Sequence, residues 1–248
     1  MPTFKLTIAY DGTNFSGWQF QPDCRTVQGA VQAAWRQITG EELSVSASSR
    51  TDAGVHALGQ TVGVESSTHL SADQLFGALN ATLPHDVIVK QVEEGPAGFH
   101  ATRDAQGKRY RYAICNSRCR PLFERNYVWH VPKPLDVAVM KRAGQLLVGT
   151  HDFASFQAAG SERESTIRTI TTIEVQRGTG DLESRVEIDV EGDGFLYKMV
   201  RIIAGSLVDV GAGRRDAEWL AAALAACDRR SAGRTAPPQG LCLLKVFY

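Results

Sequence analysis

Phe4, Leu6, Ile8 and Tyr10 alternate with Lys5, Thr7 and Ala9. The same spacing returns at Tyr110, Tyr112 and Ile114 against Arg109 and Arg111, and again at Val186, Ile188 and Val190. A period of two puts apolar side chains on one face of a strand, and such one-sided strands assemble into mostly antiparallel sheets covered on one face. Helical spacing fills the intervals. Thr26 can cap a helix whose apolar face is Val27, Ala30, Val31, Ala34, Trp35 and Ile38, ending at Gly40. Ser71 and Gln74 form a capping-box pattern before Leu75, Phe76 and Leu79, with Pro84 beyond. With strands near Leu43–Ala47, Thr61–Glu65 and Val87–Val92, the first hundred or so residues read strand, helix, two strands, helix, strand.

The second half uses the same parts. Val137, Met140, Ala143 and Leu147 mark a helix, and two alternating strands flank the turn Gly178-Thr179-Gly180. Leu196, Met199, Val200, Ile203 and Leu207 fit a helix opened by Gly192-Asp193-Gly194, followed by an Ala-rich helix from Asp216 to Ala226 and a final strand from Leu241 to Tyr248. The expected fold class is α+β, in two α/β subdomains, 1–106 and 107–248, joined near Gly107.

At 248 residues the chain buries roughly 70–75% of its unfolded surface. Its 43% hydrophobic and 22% charged residues exclude a disordered or fibrous chain. No apolar run approaches the ~18–20 residues of a membrane span, and the N-terminus alternates instead of presenting a basic then apolar leader. Cys24, Cys115, Cys119, Cys227 and Cys242 are scattered without a CxxC pair, as reduced thiols in a cytoplasm would be. The expectation is a soluble cytoplasmic protein with no membrane partner.

Lys plus Arg and Asp plus Glu balance at 27 each, but unevenly. From Ala101 to His130, Arg103, Lys108, Arg109, Arg111, Arg118, Arg120 and Arg125 face only Asp104 and Glu124, a balance of +5. From Asp181 to Asp193 six acids accompany only Arg185, a balance of −5. Such segregation can give one face a positive field suited to a polyanion, or it can be ordinary charge on solvated strands.

Several motifs are excluded on chemical grounds. Gly54 to Thr61 has the spacing of a phosphate loop, but Gln60 stands where a lysine must neutralise the phosphates. The six histidines are dispersed, and no His/Cys/Asp cluster has metal-ligand spacing, so no metal is expected. There is no GxSxG nucleophile elbow. Ser48 to His56 is more informative, because it crowds Arg50, Asp52 and His56 between two strands in a stretch too rich in small residues for regular helix. A loop carboxylate flanked by a cation can act as a nucleophile or base. It can equally cap a turn or pair with Arg50 at the surface.

Arg50-Thr51-Asp52-Ala53-Gly54-Val55-His56-Ala57 resembles the catalytic signature of the tRNA pseudouridine synthase A family. So, in order, do Tyr10-Asp11-Gly12, Gly17-Trp18-Gln19, Phe99-His100-Ala101, Lys108 to Tyr112, Gly149 with Asp152-Phe153 and Ser155-Phe156, Phe195 to Arg201, and Gly240-Leu241, covering essentially the whole chain. Ser49, Phe20 and Thr102-Arg103 depart from the family's pattern, and these departures bear on RNA contacts. The resemblance implies a pseudouridine-synthase-like core with a central cleft, the first subdomain carrying the catalytic loop and the second completing the cleft. It implies isomerisation of uridine to pseudouridine at positions 38, 39 and 40 of the tRNA anticodon arm, by a homodimer and without cofactor.

On that resemblance Asp52 is the nucleophile, Tyr110 contacts the flipped uracil, Arg201 pairs with the catalytic carboxylate, and Arg50 fills the vacated stack or touches a phosphate. His56 is as readily a packed loop residue. The competing expectations are a non-catalytic RNA-binding module using Tyr110 and Tyr112 beside Arg109 and Arg111, and a glycosyl-transfer enzyme acting on free nucleosides.

Overall fold

The computed structural model describes residues 3–160 and 165–248. The chain runs β1 (Thr3–Tyr10), α1 (Val27–Thr39), β2 (Val45–Ala47), β3 (His56–Glu65), α2 (Ala72–Thr82) and β4 (Val87–Gly95). It continues β5 (Gly107–Cys115), β6 (Trp129–His130), α3 (Val137–Gln145), β7 (Gly149–Asp152), β8 (Ile167–Arg177), β9 (Arg185–Gly192), α4 (Met199–Gly211), α5 (Ala217–Ala225) and β10 (Leu241–Phe247). The fold is α+β with mostly antiparallel pairing. Two compact units emerge, Met1–Gln106 with Cys242–Tyr248, and Gly107–Leu241.

In the first unit the strand order is β4-β1-β3-β10, with β2 on the far end of β3. β1 is antiparallel to both neighbours, whereas β10 joins the start of β3 in parallel, Cys242 opposite His56. β3 begins well before the Thr61 that alternation picks out. Nearly all its residues are buried, so it carries no period of two to read. The helices start where their caps say. Thr26 accepts the Gly29 N–H at 3.2 Å and α1 stops at left-handed Gly40, while both halves of the Ser71–Gln74 capping box are made. Asn80 of α2 then reaches β4, its amide donating to the Val89 carbonyl at 2.9 Å and accepting the Val89 N–H at 2.8 Å. These two bonds tie α2 to β4 next to the point where the register of β4 with β1 slips by one residue.

The second unit has the order β5-β9-β8-β7, with β6 parallel to β5. Helix α3 packs on β8 and against α4. Every residue of α4 except Asp209 is buried, so this helix is the unit's core rather than a surface element. It opens at Met199, later than the apolar spacing from Leu196 implies. Lys198, in the left-handed region at φ 59, turns the chain into its first residue.

The charge segregation resolves inside this sheet. β5 and β9 are antiparallel neighbours, with Arg109 opposite Glu191 and Arg111 opposite Asp189. Arg109 meets Glu191 at 2.9 Å, and Arg111 grips Asp189 with two nitrogens at 2.7 and 2.9 Å and Glu187 with a third at 2.9 Å. Arg185 bridges Glu187 and Glu124. The part of the +5 segment that lies on β5 is therefore neutralised across a strand pair, and the expected positive face does not form there. Opposite charges placed directly across two strands stabilise the pairing, which is why they segregate in sequence.

Replacing Asn80 by Ala leaves a buried N–H and C=O of β4 without partners. The expected outcome is a loss of about 1–3 kcal/mol in urea unfolding, with Asn80→Asp losing less because it still accepts the N–H. An unchanged midpoint contradicts the role given to this amide.

Candidate active site

Residues 48–55 join β2 to β3 without regular structure, and surrounding groups hold the loop at several points. At its entrance Gln60, fully buried on β3, accepts the Ser48 hydroxyl at 2.7 Å and the Ser49 N–H at 3.3 Å, and donates to the Ser49 carbonyl at 2.5 Å. In the middle the Thr51 hydroxyl is 2.7 Å from the buried Tyr10 hydroxyl, and its carbonyl accepts the Trp18 N–H at 3.0 Å. At the exit the Val55 N–H closes a turn on the Asp52 carbonyl at 3.1 Å, with Gly54 at φ 76 in the third position, a place that suits glycine. Gly12 lies so close to Val55 that a Cβ there would collide with the Val55 carbonyl. The pieces Tyr10-Asp11-Gly12 and Gly17-Trp18, far from Asp52 in sequence, thus form the bed on which its loop lies.

Asp52 is half-buried at the start of that turn. His56, the first residue of β3, is buried and its Nδ1 accepts the Gly12 N–H at 3.0 Å. The same nitrogen is 3.2 Å from an Asp11 oxygen. These contacts tie the first residue of β3 to the Tyr10-Asp11-Gly12 turn. Arg50 is exposed and borders a polar groove of about 410 Å³ with Trp18, Gln19, Ser46, His100 and Thr102.

The other two candidates belong to the second unit. Tyr110 lies on the buried face of β5 at 6% exposure, its ring edge-on to Phe195 at 5.3 Å. Tyr112 is fully buried and donates to the Pro237 carbonyl at 2.8 Å. Burial pushes its hydroxyl well above the usual tyrosine range, so it stays a donor. Arg201, in the first turn of α4 and 9% exposed, donates from Nε to the Ala236 carbonyl at 2.8 Å, while its own carbonyl accepts the Ala236 N–H at 3.0 Å. The segment bearing Ala236 and Pro237 thus ties a guanidinium and a tyrosine of one unit in fixed positions. Asp52 and Arg50 share one loop of the first unit, and Tyr110 and Arg201 share the core of the second.

Full burial of Tyr112 and pairing of both arginines leave β5 without the exposed two-tyrosine, two-arginine surface that a non-catalytic RNA-binding module required. Sequence reasoning missed Gln60 as a structural group, treating it only as a lysine that is not there. It also missed the Ala236–Pro237 tie. Removing the Gln60 amide by Gln60→Leu should speed amide exchange at Ser49 by roughly 10–100-fold and leave β4 protected. Unchanged protection at Ser49 in a hydrogen-exchange experiment counts against the clamp.

Comparison with known proteins gives the family. The family model described as tRNA pseudouridine synthase matches residues 6–103 and 143–248, which contain Arg50, Asp52 and Arg201, with Tyr110 between the two matched stretches. The tRNA pseudouridine synthase A of Thermoanaerobacter sp. (strain X514) is 43% identical over 248 residues, the full length of both chains. That of Brevibacillus brevis is 46% identical over the same span. That of Geobacillus sp. (strain WCH70) is 45% identical over 98% of this chain and 97% of its own. Matched along its whole length by such relatives, and by the family model at the loop that carries Asp52, this chain belongs to the tRNA pseudouridine synthase family.

Proposed function

We propose that this enzyme isomerises uridine to pseudouridine at positions 38, 39 and 40 in the anticodon stem-loop of tRNA, with Asp52 as the nucleophile. The N1–C1′ bond breaks, the uracil turns in place, and C5 bonds to C1′. The C5 proton leaves and N1 gains one, so composition and oxidation state do not change, and the chemistry calls for neither metal nor cofactor. One carboxylate suffices for it, whether by attack at C1′, addition at C6 or removal of the 2′ proton, whereas glycoside hydrolysis ordinarily needs two. The observation that carries the reading is the Asp52 turn. It is the one acidic side chain of a loop clamped at entrance, middle and exit, as positioning of a reacting group requires.

The remaining roles follow from side-chain chemistry. A stacked base must leave the helix before any side chain reaches C1′, at a cost of a few kcal/mol, and Arg50, exposed at the rim of its groove, is suited to occupy the gap. A guanidinium such as Arg201, immobilised by its bond to Ala236, holds a neighbouring carboxylate ionised in a dry pocket. Tyr110, fixed by Phe195, contacts the flipped uracil. A cytoplasmic homodimer in which one tRNA touches both subunits completes the proposal, supported by the resemblance of the whole chain to the family.

The test uses unmodified tRNA tritiated at uracil C5. Wild-type protein should release tritium without added metal or cofactor, and Asp52→Ala should bind the tRNA, remain folded and release none. Turnover by that variant removes Asp52 from the chemistry. Arg201→Ala should reduce the single-turnover rate by at least about 100-fold, the scale of losing one electrostatic stabiliser from a water-excluded site. A near wild-type rate rejects the role given to it.

A further inference from the structure

With the β5 arginines neutralised, one cluster of exposed positive charge in the second unit lies in the loop between β5 and β6. Arg118, Arg120 and Arg125 fall within eight residues, all exposed. Among the described residues none of the three makes an ion pair, and the acid between them, Glu124, is taken by Arg185 at 3.0 Å. The same loop exposes Leu122 at 64% and Phe123 at 88%. Arg125 is held back against its own loop by a bond from Nη1 to the Leu122 carbonyl at 2.6 Å. Beside it is a cavity of about 340 Å³, walled by Arg120, Leu122, Arg125, Val128 and His130. The loop also lies in the stretch the family model leaves unmatched.

We propose that residues 116–127 form an RNA-binding arm, in which Arg118, Arg120 and Arg125 contact the sugar-phosphate backbone of the tRNA and Phe123 stacks on an unpaired base, a contact additional to that of the reacting uridine. The inference rests on the reading of tRNA as substrate. Guanidinium groups beside an exposed ring and a cavity of mixed lining are the combination that unpaired nucleotides require, charge for the phosphate and an apolar face for the base. A second copy of this chain fits less well. A two-fold contact centred on Phe123 would set the three arginines of one copy against those of the other.

The triple variant Arg118→Gln, Arg120→Gln, Arg125→Gln, the single variant Phe123→Ala, and a control at the exposed Arg142 of α3 (Arg142→Gln) are compared in tRNA filter binding across a salt series. The triple variant should raise Kd at least tenfold at about 100 mM salt and flatten the slope of log K against log salt by about 2, near 0.7–0.9 for each phosphate no longer neutralised. Phe123→Ala should raise Kd severalfold with the slope unchanged, and the control should change neither. Lysines at the three positions should restore the slope. Unchanged Kd and slope in the triple variant overturn the proposal, as does conversion of a dimer to monomers by either loop variant in light scattering, which assigns the loop to contact between copies. Tritium release by the wild type separates the two readings. Release with an unaffected triple variant defeats the arm alone, and tight binding without release defeats the isomerase alone.

Discussion

Eight residues between β2 and β3 have no ladder to belong to, and the hydrogen bonds of Gln60, Tyr10 and Trp18 take the place of one. Each residue left free to wander would carry about 1–2 kcal/mol of conformational entropy to be lost when substrate arrives. Spending that entropy during folding leaves Asp52 in place before any RNA binds. It also explains why so much of the first unit looks devoted to one turn. The end of β1, the tight passage at Gly12 and the backbone of Trp18 all press on the same short segment. The proposed reaction relies on a single carboxylate and is therefore sensitive to where that carboxylate lies.

The second unit achieves the same fixity by different means. Its candidate groups stand on regular elements, Tyr110 on a long strand and Arg201 on a helix almost wholly buried, and the Ala236–Pro237 segment locks the latter from outside. Burying a guanidinium is tolerable only when its donors are satisfied, and the bond to Ala236 answers part of that demand. Pairing β5 with β9 also disposes of charge that would otherwise repel along the strand. What reaches solvent as positive potential is a remainder, set by which arginines lack an acid across the sheet, and composition alone does not reveal it.

Much of this was legible in the residues. Caps announced themselves at Thr26 and Ser71, because a side chain that satisfies a helix end has a narrow chemistry. One-sided strands such as β1, β5 and β9 showed their period of two. The start of β3 did not, since a strand buried on both faces has nothing to alternate, and apolar spacing extends α4 backwards because Leu196 packs like a helical residue without being one. The Asp52 loop stood out by crowding and by resemblance. Its clamps did not, because Tyr10, Trp18 and Gln60 meet Thr51 and Ser48 across distances that only the folded chain closes. Charge was legible in amount and misleading in place, as register decides which segments neutralise each other.

The parallel pairing of β10 with β3 sets an order of events during synthesis. The first unit's other strands, β1 to β4, precede the second unit in the chain, yet the strand that supports His56, directly after the Asp52 turn, emerges only after it. At ~5–20 residues per second the ribosome needs roughly 7–30 s to supply the intervening second unit. For that interval the beginning of β3 is an open sheet edge, able to pair with other extended chain. The loop that holds Asp52 therefore acquires its final support only after the whole second unit has been made, so a nascent chain carries the carboxylate long before it carries the completed frame around it.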